Sequence, residues 1–150
     1  MKFVKILFLI IIFNSCSSQF HLSKDEFLQQ TVNYRDKSEK TTSFPMFTKN
    51  IMILFSSTYD ANNIEKVLCW NDKNELVFLY PDNNTKIEIT SKLTNEIDEL
   101  YFDTVFFKEG KLIGLTSRSK KSIPSEIDTD DIKKIEIFDR FPTIEKAIIN

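Results

Sequence analysis

A single histidine, two glycines, two cysteines and one tryptophan occur among 150 residues. Each shortage excludes a chemistry. With His21 alone, an HExxH zinc site has no second imidazole, and no GxSxG elbow is present to carry a hydrolase nucleophile. Gly110 and Gly114 are too few for a glycine-rich loop that cradles phosphate. Twenty Lys and Arg against 22 Asp and Glu leave a net charge of −2. Nucleic-acid binding, which needs a concentrated basic surface, therefore has no electrostatic support. The unbroken apolar run near the start, residues 6–13, is far short of the ~20 residues that span a bilayer as a helix.

Hydrophobic residues make up 41% and charged residues 28%, which is the balance of a folded chain and not a disordered one. The length fits one domain. Lys2 and Lys5 precede the apolar run, Asn14 and Ser15 follow it, and no acid appears before Asp25. That is the layout of an export signal. A cut after Ser17 would satisfy the small-residue rule of ordinary secretion through Ser15 and Ser17. The run Phe13-Asn14-Ser15-Cys16-Ser17-Ser18, however, resembles a bacterial lipoprotein signal with its lipobox. Phe13 and Asn14 replace the usual Leu and Ala or Ser, and such looser boxes followed by Ser-Ser resemble those of Bacteroidetes lipoproteins. The resemblance implies removal of residues 1–15, acylation of Cys16, and a lipid anchor at the outer membrane, since no Asp follows Cys16. A secreted protein is the alternative. With Cys16 acylated, Cys69 has no disulfide partner and reads as a buried thiol in a strand.

Residues 16–43 read as the lipidated N-terminus and a tether with a possible short helix. Ser23-Lys24-Asp25-Glu26 has the capping-box pattern, and Phe27, Leu28, Thr31 and Val32 give one apolar face, so a helix is predicted over 24–33. Residues 44–150 read as the β-rich domain. The apolar run 51–55 suggests a strand buried on both faces. Residues 64–70 and 75–80 flank Asn71-Asp72-Lys73-Asn74, a hairpin turn. Lys86-Ile87-Glu88-Ile89-Thr90 alternates with both Ile inward. Residues 100–107 and 111–117 flank Lys108-Glu109-Gly110, with Phe102 and Phe106 on one face and Tyr101 and Phe107 on the other. Ile135 and Ile137 mark a last long strand, and residues 143–149 a short terminal helix or strand. The fold class is therefore mainly β: a single antiparallel meander, as sandwich, small barrel or curved sheet, with a short N-terminal helix. The alternative is α+β, with one helix packed on an antiparallel sheet.

Two charged clusters stand out. Glu126, Asp128, Asp130 and Asp131 form an acidic run, but a calcium loop counted from Asp128 would place Ile132, Lys133 and Asp139 at its fifth, sixth and twelfth positions. Arg118, Lys120 and Lys121 form a basic cluster that an anion, a lipid headgroup or the acidic run would complement. Neither pattern carries catalytic chemistry, and no cofactor is implied. The expectation is a lipid-anchored envelope protein with a non-catalytic accessory or binding domain. Its partners would be the membrane, through the anchor, and an envelope protein or small ligand, with no nucleic acid. An enzyme using carboxylates, or an immunity or inhibitor-type protein, is the alternative.

Overall fold

Phe20 and Leu22 alternate with Gln19 and His21 just after the export-signal pattern, and this short period-two stretch is the first strand of the domain. In the computed structural model, which describes residues 17–31, 38–48, 51–118 and 122–148, β1 (Ser18–Leu22) buries Phe20 and Leu22. Ser23 then caps α1 (Lys24–Thr31). Its hydroxyl accepts from the Glu26 N–H at 3.2 Å, and Glu26 Oε2 accepts from the Ser23 N–H at 2.8 Å. These reciprocal bonds satisfy donors that the first helical turn leaves open. The helix matches its predicted start and is described to Thr31; residues 32–33 of the predicted span lie outside the described residues.

The remaining strands are β2 (Ser38–Thr48), β3 (Ile51–Ala61), β4 (Val67–Asn71), β5 (Leu76–Tyr80), β6 (Lys86–Ser91), β7 (Ile97–Tyr101), β8 (Phe106–Lys108), β9 (Lys111–Gly114), β10 (Ser125–Asp128), β11 (Ile132–Asp139) and β12 (Thr143–Lys146). They form an open seven-stranded sheet in the order β12-β5-β4-β1-β11-β6-β7, a three-stranded sheet β10-β9-β8, and the two-stranded ribbon β2-β3. Every pairing is antiparallel. The mainly β class with one short helix is what forms. Among the described residues the large sheet ends at β12 and β7 without closing into a barrel.

The large sheet is not the meander expected: only β4-β5 and β6-β7 are sequential neighbours, while β12-β5, β4-β1, β1-β11 and β11-β6 are not. β1 lies between β4 and β11, pairing Phe20 with Asn71 and with Ile137. The boundary expected at residue 44 therefore does not separate tether from domain: residues 18–31 are body. The reason is chemical, since Phe20, Leu22 and Phe27 are 1%, 6% and 0% exposed and join the same core as Ile87, Ile89, Ile135 and Ile137. Burial contributes about 1.5–3 kcal/mol for each of these large apolar side chains, which offsets part of the entropy of ordering this segment. Leu112 and Ile127 of the small sheet and Phe27 of α1 close the core from the other side, with Phe27 edge-on to Phe102.

Local chemistry explains the turns. Asn74, at φ 57°, takes the left-handed position after β4, while the Asn71 carboxamide oxygen accepts from the Lys73 and Glu75 N–H groups. Gly110, at φ 81°, supplies the same freedom between β8 and β9. The long strand expected over 100–107 is interrupted, because Phe102–Thr104 forms a 3-10 turn. That turn breaks the alternation. Phe102 is buried, Phe106 and Tyr101 are half-buried, and Phe107 is exposed. A second correction concerns β3. Met52 and Leu54 are 58% and 64% exposed, so the apolar run is not buried on both faces.

Candidate functional site

Of the basic cluster, Arg118 is described and it is not a surface residue: it is 8% exposed. The 3-10 turn and the base of the β2-β3 ribbon bring its partners together. Arg118 Nη2 donates to Asp103 Oδ1 at 2.6 Å, and the Tyr59 hydroxyl donates to Asp103 Oδ2 at 2.7 Å. The guanidinium lies 3.9 Å from the Tyr101 ring centroid and 5.4 Å from that of Tyr59. Burial, then the bond to Asp103, pushes the Tyr59 phenol up to about 12. The Asn62 side chain donates to the Phe102 and Val105 carbonyls at 2.7 and 3.0 Å beside this cluster. Arg118 is thus a tie between ribbon and body, and its charge is taken up by Asp103 and not offered to an anion. Lys120 and Lys121 lie outside the described residues, as does Cys16.

The acidic residues are spread over β10 and the turn that follows. Glu126 is exposed and pairs with Lys111 at 2.9 Å, which lowers its pKa and raises that of the lysine. Asp128 Oδ1 accepts from the Asp130 N–H at 2.9 Å. Asp131 accepts from the Ser91 hydroxyl and the Leu93 N–H at 2.8 and 3.0 Å, and Lys92 Nζ donates to the Asp130 carbonyl at 2.7 Å. The run therefore stitches the turn before β11 to the turn after β6. Among the described residues no group of three or more His, Cys, Asp or Glu is placed to hold a metal ion.

Concavities among the described residues include two of note. A recess of about 620 Å³ opens on the outer face of the large sheet, at the end where β1 begins, and includes Ser17, Lys86, Glu88, Tyr101, Arg140 and Phe141. Burial, then the neighbouring charges of Glu99 and Glu136, raises the Glu88 carboxyl above its ordinary range. Glu99 is engaged by Lys86. A smaller cleft of about 260 Å³ separates the base of β3 from the small sheet and is lined by Tyr59, Phe106, Ile113, Leu115 and Pro124. Its lining is mostly apolar, with no pair of acids facing each other. Acid–base chemistry by carboxylates would need two acids of divergent character in one pocket. Glu88 and Glu99 share the open recess, where one is raised and the other is ion-paired.

The most distinctive surface is the ribbon. β2 and β3 pair over eleven positions, from Ser38 with Ala61 to Thr48 with Ile51. The pairs at its far end are Phe44 with Phe55, Pro45 with Leu54, Met46 with Ile53, and Phe47 with Met52. Pro45, Met52 and Leu54 are exposed there. Among the described residues β2 and β3 pair in a sheet of two strands, a long ribbon tied down at its base with exposed apolar side chains at its end. Sequence reading missed the Arg118–Asp103–Tyr59 cluster because its members lie 15 and 44 residues apart with no periodic signal. It missed the exposure of the ribbon because an apolar run of five does not reveal whether anything covers it. Compared with family models, with curated proteins and with solved structures, the chain gives no match.

Proposed function

We propose that the protein is a lipid-anchored component of the bacterial cell envelope, held by acylated Cys16, and that its β-rich domain binds a partner without catalysis. The localisation rests on the resemblance of residues 13–18 to a lipobox. A single acyl chain anchors only marginally, whereas the diacylglycerol and amide-linked chain of such proteins hold permanently. The binding role rests on one observation, the β2-β3 ribbon with exposed Pro45, Met52 and Leu54 at its apolar end. A cluster of exposed apolar residues at the end of a ribbon is the kind of patch that marks an interaction surface.

Two experiments test the two halves. Cells fed an alkyne palmitate analogue should label the wild-type protein and leave Cys16→Ala unlabelled. Equal labelling of both, or none of the wild type, overturns the anchor. A photo-crosslinking residue at Met52 should give one discrete adduct in intact cells, lost on Leu54→Asp, while the same probe at Asp98 on β7 gives none. Identical adduct patterns at both positions would contradict the binding role.

A further inference from the structure

Given that anchor, we infer that the domain docks directly on the bilayer, through the end of the large sheet where β1 begins, with the Arg140-Phe141 turn against the lipid headgroups. The inference rests on the acylation of Cys16 proposed above and adds an orientation to it. Ser18 is two residue steps from Cys16, with Ser17 alone between them, and an extended chain covers at most about 3.6 Å per residue. The first strand residue is then within ~7 Å of the lipidated cysteine. Ser18 is not free to move away, because it is in register with Asp139 on β11 and continues into a strand paired on both sides. The leash therefore brings this end of the sheet to the membrane surface, not a domain floating on a long tether.

The surface found at that end suits a bilayer interface. Phe141 is 77% exposed, and the Arg140 guanidinium is 5.5 Å from its ring centroid. The turn is fixed and not frayed: Asp139, 2% exposed, accepts from the Phe141 N–H at 2.9 Å and from the Thr85 hydroxyl. Lys86 lies on the neighbouring strand, in register with Phe138. An aromatic ring beside a guanidinium matches the border between acyl chains and phosphates, where amphipathic side chains place their apolar part inward and their charge outward. Exposure alone would not select this end. Leu93, in the turn after β6, is 84% exposed at the opposite end of the sheet, some ~20 Å away at about 3.3 Å per residue over the six residues of β6. The leash makes the choice between the two.

Phe141→Cys and Leu93→Cys, each in the full acylated protein, can be nitroxide-labelled, since Cys69 is buried. The proteins are reconstituted into vesicles of phosphatidylethanolamine and phosphatidylglycerol at three to one. Acylation is verified by intact mass. The ratio of collision with oxygen to collision with a polar nickel complex should be at least threefold higher at position 141 than at position 93. Arg140→Glu in the Phe141→Cys protein should reduce that difference. Equal aqueous ratios at both positions, or the higher ratio at 93, with the acyl mass present, would overturn the docking and leave the anchor standing. A mature mass without acyl chains would overturn both.

Discussion

Arg118 shows how a residue's surroundings reverse its meaning. In the sequence it heads a basic cluster; in the fold its guanidinium is stacked on Tyr101 and bound to a buried carboxylate. Removing one member of such a pair strands the other charge away from water, so Arg118→Met should destabilise the domain by about 3–5 kcal/mol in urea denaturation. Lys146→Met, at the exposed Lys146–Glu75 pair, should leave the midpoint unchanged. Cys69 shows the opposite case, a residue whose context was legible. Alternation with Val67 puts its thiol inward, and it is 1% exposed with its pKa pushed by burial from 9.0 to about 12. It should react with a thiol reagent only after denaturation. The raised value means the unfolded chain gives up this proton first as pH rises. The stability tied to the protonated thiol is therefore whole below pH 9 and is lost progressively from there toward 12. Tyr59, raised from 10.0 to about 12, acts in the same sense. Cys69→Ala should cost on the order of 1 kcal/mol at neutral pH through a small cavity. It should also show a shallower loss of stability than wild type between pH 9 and 11. A fast-reacting folded protein would contradict the burial.

Elements were legible in proportion to their period. β6 alternates cleanly, β11 does so from Lys134 onward after an irregularity between Ile132 and Lys134, and their Ile residues are inward as expected; α1 begins where its capping box places it. Ser23→Ala should lower stability by about 1 kcal/mol, through loss of the bond to the Glu26 N–H. β1 was missed because five residues with two apolar side chains, set beside a leader, carry too little pattern to outweigh the tether reading. Its role depends on partners more than 40 residues away, on β4 and β11. Phe20→Ala tests that role. A tether residue would lose nothing, whereas a fully buried Phe should cost about 3–5 kcal/mol. The ribbon was half legible. Its β3 run was visible as a strand, but burial belongs to tertiary context, and β2, with its Ser, Thr and Pro, gives no apolar alternation before β3 is there to pair with it.

At the scale of the whole molecule the decisive fact is where the body starts. If residues 18–22 were tether, the domain would hang from a flexible leader and its orientation would be arbitrary. With β1 between β4 and β11, the sheet begins two residues after the proposed lipid site, and an anchor there would bring one rim of the domain to the membrane. The ribbon, tied to the body through Tyr59, Asn62 and Asp103, then projects from a domain of defined pose. Native-state hydrogen exchange on the mature protein measures this most directly, because interior strands open only with the global unfolding free energy while tethers exchange at once. The amides of residues 20–22 should exchange as slowly as those of β6 and β11. Complete exchange of residues 20–22 within seconds, with β6 and β11 still protected, would contradict the central position of β1.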